Sequence, residues 1–186
     1  MKRTIKPLIS AVLSVMICAR IVPAVEDADS TSVRDFEKRV SAYVQLRKSI
    51  ESNLPALKST RSQEKISSQE HALARAVREA RKNARPGDIF TPEISARIRD
   101  LIGGAMQSAG KRIKASLHQA EPVHLRLRVN DSYPANVPLQ STPPSLLTNL
   151  PPLPRQEVEY RVAGHDLILL DVKANLVADL IENLLP

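Results

Sequence analysis

The stretch EVEYRVAGHDLILLDVKANLVADLIENLLP, Glu157 to Pro186, is the densest apolar segment beyond the first 24 residues. Its reading decides the fold. Val158, Tyr160 and Val162 alternate with Glu157, Glu159 and Arg161, the period-two pattern of a half-buried strand. Gly164-His165 is a turn signal, and Leu167-Ile168-Leu169-Leu170 follows as a second apolar run. From Asp171 the spacing changes to about 3.6, with Val177, Leu180, Ile181 and Leu184 on one stripe. The expectation is a β-hairpin followed by a C-terminal helix whose N-cap is Asp171.

Upstream of this segment, Val123, Leu125, Leu127 and Val129 alternate with His124, Arg126, Arg128 and Asn130, a further strand with one buried face. Its polar face is basic and that of 157–161 mainly acidic. Antiparallel pairing of the two would set Arg126 and Arg128 near Glu157 and Glu159, each pair favouring the register by roughly 0.2–1 kcal/mol. The connector 133–154 carries seven prolines, which lack an N–H and exclude a central strand. It reads as a strap laying Leu146, Leu147 and Leu150 on the sheet, with a single helical turn starting near Thr142-Pro143.

The N-terminal half has helical periodicity. Phe36, Val40, Tyr43, Ile50 and Leu54 fall on one stripe, and Arg47 occupies a seam position among them. Pro55 ends or kinks this helix. A second helix is expected over about 62–84, with Ile66, Leu73, Val77, Ala80 and Ala84 inward, completing an antiparallel hairpin. Thr91-Pro92-Glu93 starts a third helix. Gly103-Gly104 and Gly110 weaken it, so a kink or a split is expected before Leu117. The architecture is therefore α+β: a helical hairpin region over 25–86 and a third helix. A small antiparallel sheet of about three strands follows, with a C-terminal helix packed on it, in an α+β domain over 87–186.

Residues 1–24 read as a signal peptide. Lys2, Arg3 and Lys6 precede an apolar run from Leu8 to Ala19, and Val22-Pro23-Ala24 offers a cleavage site after Ala24. The apolar run is short of the roughly 20 residues that span a bilayer. Export to the periplasm or beyond follows. Ile17 before Cys18 is too large for a lipid-attachment site. The leader holds four of the 27 basic residues and no acidic one, so the formal charge falls from +7 to +3 on its removal. It also holds the only cysteine, which excludes disulfides and thiol catalysis in the mature chain.

Charge is uneven along the chain. Residues 31–86 carry 13 basic and 6 acidic side chains, whereas 121–186 carry 5 and 8. Arg75, Arg78, Lys82 and Arg85 cluster away from the apolar stripe of the second helix. A solvated helix face explains such a ridge; a contact with an acidic partner is the functional reading. An envelope component or a protein fits an exported chain, and nucleic acid does not. An anionic membrane surface and a homo-oligomer formed through the hairpin are the other partners considered.

Several stretches from Gly87 onward resemble a family of uncharacterised secreted bacterial proteins. They are Gly87-Asp-Ile-Phe-Thr-Pro92, Glu121-Pro-Val, Leu125-Arg-Leu-Arg-Val-Asn130, Val137-Pro-Leu-Gln-Ser-Thr-Pro-Pro144, Leu150-Pro-Pro-Leu-Pro154, Glu159-Tyr-Arg161, Leu170-Asp-Val172 and Ala174-Asn-Leu176. The resemblance implies secretion and a shared fold and brings no catalytic or binding residue with it.

No catalytic signature stands out. Gly104–Arg112, GAMQSAGKR, misses a phosphate-binding loop at two positions: Ala105 where Gly is needed and Arg112 where a hydroxyl is needed. His71, His118, His124 and His165 contain no i, i+4 metal clamp, and no cofactor or metal is expected. The reading is a non-catalytic binding or structural module of the cell envelope. Its rival is an envelope hydrolase, which would gather His124, His165, Asp166 or Glu159 in a cleft.

Overall fold

A computed structural model describes residues 24–55, 61–119, 125–134, 144–154 and 156–185. The elements are α1 (Ala24–Ser52), α2 (Gln63–Ala80), α3 (Pro92–Gln119), the single turn α4 (Pro144–Leu147), β1 (Val158–Ala163), β2 (Asp166–Asp171) and β3 (Leu176–Ile181). The fold is α+β. The expected leader lies outside the described residues except for Ala24, where α1 begins.

Each helix forms where an apolar stripe meets a start signal. Ser62 caps α2, its side chain accepting the Lys65 N–H, and the chain leaves the helix at Arg81. The second helix is thus shorter than its periodicity suggests, and Arg85 falls in the turn beyond it. Pro92 opens α3, which bends at Ala109 (φ −132°) and not at Gly103-Gly104. Nothing lies within 4 Å of a Cβ built at either glycine, so both have room for a side chain and the helix runs through them unbroken.

β1, β2 and β3 form an antiparallel sheet in that order. Gly164 (φ +64°) makes the first turn, pairing Ala163 with Asp166 and Val158 with Asp171. The second connection corrects the sequence reading: Leu176–Ile181 is a strand, and no C-terminal helix forms. Asp171 does cap, but it caps a turn, accepting the Lys173 and Ala174 N–H groups, and Asn175 takes a left-handed φ of +47° to send the chain back. All six residues of β3 are buried. A strand buried on both faces reads as an unbroken apolar run, which periodicity cannot separate from helix.

A second correction concerns 125–134. This segment forms no regular strand and does not lie beside β1. It runs along β3 through a Ser132–Leu176 bridge and the bonds Asn130 N–H to Val177 O (2.8 Å) and Val177 N–H to Asp131 O (2.9 Å). The tight Gly164 turn gives β1 its neighbour locally, as is usual for consecutive strands. The expected alternation holds all the same: Leu127 is buried while Arg126 and Arg128 are exposed.

The sheet is covered on both faces. The main core takes Val158, Tyr160, Val162, Leu167 and Leu169 from one face. It joins them to Phe36 and Val40 of α1, Val77 of α2, Ile94 and Ile98 of α3, and Leu146 and Leu150 of the proline-rich strap. The other face buries Ile168, Leu170, Val177 and Leu180 under Leu127 and Tyr133. Phe36, Phe90 and Tyr160 stack with centroids 5.5–6.5 Å apart, tying α1, the start of α3 and β1 together. Such pairs add roughly 0.5–1.5 kcal/mol each beyond area burial. In a chain so poor in aromatics this is a large share of its ring surface.

Candidate functional site

Three polar assemblies hold the helices to the sheet, and they account for the charged side chains that the sequence leaves puzzling. Arg47 is fully buried on the inner seam of α1. Its guanidinium meets Glu51 one turn on (2.5 Å), Glu157 at the entry to β1, and Asp171 at the end of β2 (3.5 Å). The Tyr43 hydroxyl donates to Asp171 at 2.7 Å. Lys48 pairs with Glu157 (2.7 Å) and Lys173 with Glu51 (3.4 Å), closing the cluster at its exposed rim. Burial pushes the Arg47 pKa down, but Asp171, Glu157 and Glu51 outweigh it and hold the group above its usual value. Lys48 and then Arg47 hold the Glu157 carboxyl below its usual range. Burial, followed by the Asp171 charge, raises the Tyr43 phenol far above its ordinary range.

The second assembly centres on Asp179, a carboxylate inside the apolar run of β3. The register slips between Leu169 and Leu170, which face Asp179 and Val177. Such a bulge inserts one residue and re-aims a side chain. Here the slip leaves Ala178 unmatched, and the Asp179 carboxylate meets the turn between α2 and α3. It accepts the N–H groups of Gly87 (3.0 Å), Ile89 (2.7 Å) and Phe90 (2.7 Å), and also that of Leu180 (2.8 Å). Gly87 takes a φ of +91°, which other residues rarely adopt, to aim its amide inward.

In the third assembly, α2 is clamped to Asn130. The Arg78 guanidinium donates to Asn130 O (2.9 Å) and Ser132 Oγ (2.5 Å). Arg81 donates to Asn130 Oδ1 (3.2 Å) and Ala178 O (2.9 Å), and lies 4.8 Å from the Tyr43 ring centroid. Asn130 Nδ2 returns a bond to Arg81 O (2.8 Å).

The four basic residues read as a ridge therefore divide. Arg78 is turned inward as a clamp. Arg75, Lys82 and Arg85 are exposed, with Lys82 next to an equally exposed Glu79 at 3.4 Å. The sequence reading passed over Arg81 and Asp179. Their available signals were a cation beside the ridge and an acid within an apolar strand. The signal for Arg47 was explicit: a guanidinium on an apolar seam.

Among the described residues, two grooves stand out. One of about 400 Å³ runs between α1 and the strap, with Val40, Val44, Pro152 and Pro154 as apolar walls and Lys48 and Glu157 at its polar end. The other, about 610 Å³, is lined by Arg126, Arg128, Asp131, Asp166, Glu182 and Asn183. Of the four residues named for a hydrolase, the three described are each engaged separately. Asp166 accepts the Asn183 N–H, the His165 ring contacts Leu185 O at 3.1 Å, and Glu159 pairs with Arg161 at 2.6 Å. Glu159 stands four residues along β1 from the partner of Asp166, about 13 Å at strand spacing. His71 is exposed on α2, and His124 lies outside the described residues, as does the side chain of His118. Among the described residues, no group of three His, Cys, Asp or Glu is placed to hold a metal ion, and no helix is long and apolar enough to cross a membrane.

No protein-family model, no curated protein and no solved structure matches the chain.

Proposed function

We propose that the chain is an exported, non-catalytic binding or structural module of a bacterial cell envelope, with its helical layer as the contact surface. Export is inferred from the basic, apolar and small-residue order of the first 24 residues. One observation supports the binding reading above others: the buried charges are spent on architecture while the outer cations of α2 are left in solvent. Arg47, Asp171 and Asp179 each join segments remote in sequence, as does the partly buried Arg78. Among the described residues, the side chains of Arg75, Lys82 and Arg85 bond to no other element, Lys82 pairing only with Glu79 three residues before it.

Two measurements test this. Full-length protein expressed in a bacterial host should be recovered from the periplasm or medium with an intact mass that begins at Val25. A full-length cytoplasmic product would refute export. The purified mature protein should release no soluble fragments from cell-wall material. Release that disappears in a His165→Ala or Asp166→Asn variant would replace the module with a hydrolase.

A further inference from the structure

We propose that the groove of about 610 Å³ at the end of the sheet binds a small zwitterion, an amino acid or short peptide with a free ammonium and a free carboxylate. Such a site lies outside the helical contact surface proposed above and is judged separately from it. One wall is the segment 126–131, where Leu127 is buried against the sheet and Arg126 and Arg128, on either side of it, are exposed. The other is the sheet's end, where Asp166 opens β2 and Glu182 follows β3. With Asp131 at the foot of the first wall, two guanidiniums and three carboxylates line one groove.

These charges do not neutralise one another. Among the described residues, neither guanidinium has an ion-pair or hydrogen-bond partner, and neither does the Glu182 carboxylate. The bonds that are made run within each wall. Asp131 accepts the Arg128 N–H (2.8 Å) while its own N–H donates to Arg128 O (3.0 Å), closing a turn that holds the first wall. One oxygen of Asp166 accepts the Asn183 N–H (2.9 Å), and Arg99 of α3 donates to Asn183 O (3.2 Å) and Glu182 O (2.9 Å), which holds the second. Opposite charges are therefore presented on fixed backbone with their side-chain bonds unmade.

A ligand carrying both charges completes them. Guanidiniums offer parallel N–H donors that match a carboxylate in bidentate fashion. Glu182 and the second oxygen of Asp166 can accept from an ammonium, which has three donors. A simple anion would also meet the three carboxylates, and a simple cation the two guanidiniums, and such like-charge contacts are costly. The volume lies within the roughly 300–1,000 Å³ of ordinary ligand sites.

The test is calorimetric titration of the mature protein with alanine and with trialanine, each compared with its N-acetylated and its C-amidated form. At least one uncapped ligand should bind, and either cap should weaken it about 10-fold or more, the worth of one hydrogen bond to a charged group. The tighter of the two ligands tells whether the natural zwitterion is a peptide or a free amino acid. Arg126→Gln with Arg128→Gln should weaken the uncapped ligand similarly and leave the weak binding of the amide unchanged. Glu182→Gln should weaken the uncapped ligand and leave the N-acetylated form unchanged. All three side chains are exposed, and an unchanged circular dichroism spectrum will verify the fold. Equal binding of capped and uncapped ligands, equal binding of acetate, unchanged binding by the variants, or no binding of either probe overturns the assignment. The module reading is decided independently by the export and cell-wall measurements.

Discussion

Arg47 and Asp171 are both wholly shielded from solvent, and they face each other at 3.5 Å across the junction of α1 with β2. Their separation in sequence makes the pair a bolt between the helical layer and the sheet. Each has further partners, so neither charge depends on the other alone. Removing one partner of a buried ion pair is far more costly than removing both.

Arg47→Leu should therefore destabilise the fold by about 3–5 kcal/mol in urea unfolding, because Asp171 keeps its charge without its cation. Combining it with Asp171→Asn should recover part of that loss. Lys48→Ala, at the half-exposed rim, should cost less than about 1 kcal/mol. Equal effects of Arg47→Leu and Lys48→Ala would show that the buried contact is not the determinant.

Asp179→Ala leaves the amides of Gly87, Ile89 and Phe90 without their acceptor. With each unsatisfied buried donor costing about 1–3 kcal/mol, the loss should be at least 3 kcal/mol. Amide exchange locates it: Ile89 and Phe90 should lose protection first, while the β1–β2 pairing retains its own.

Acid should loosen the α1–β1 contact before the rest. The Glu157 carboxyl is held below its reference pKa of 4.5 by Lys48 and Arg47. A depressed folded-state pKa supplies stability that is present above the unfolded pKa and lost as pH falls through the folded one. Stability measured from pH 6 down to pH 3 should thus decline below about 4.5. Glu157→Gln should remove part of that slope, and an identical slope would exclude Glu157 as its source.

Alkali provides the opposite sign. The Tyr43 and Tyr160 phenols are raised above their reference of 10.0 mainly by burial. The unfolded chain then loses protons before the folded one, so stability falls as pH rises past about 10. Ultraviolet titration should show Tyr43 and Tyr160 ionising only as the protein unfolds. Tyr43→Phe should remove one of them.

Glycine substitutions should divide by backbone geometry. Gly103→Ala and Gly104→Ala, in an open helix interior, should each stabilise by roughly 0.5–1 kcal/mol. Gly87→Ala, at φ +91°, should destabilise and weaken the Asp179 contact. Thermal melting distinguishes the two classes.

Periodicity and punctuation in the chain determined where α1, α2 and α3 lie to within a few residues, the β1–β2 hairpin, the burial of Leu146 and Leu150 and the inward face of 125–129. All of these follow from spacing within one element and from Gly, Pro and capping residues, which act over a few positions. The same reasoning marked Arg47 as a cation on an apolar seam without supplying its partners. Tertiary structure alone decided that Leu176–Ile181 is a strand, that 130–133 lies along β3, and that Arg78 is a clamp while Arg75 remains outside. The physical reason is range. Tyr43 and Asp171 are 128 positions apart, and Gly87 and Asp179 are 92 apart. Strand pairing and charge burial are settled by such remote neighbours. A short apolar run satisfies a helix or a strand equally until a partner edge is available.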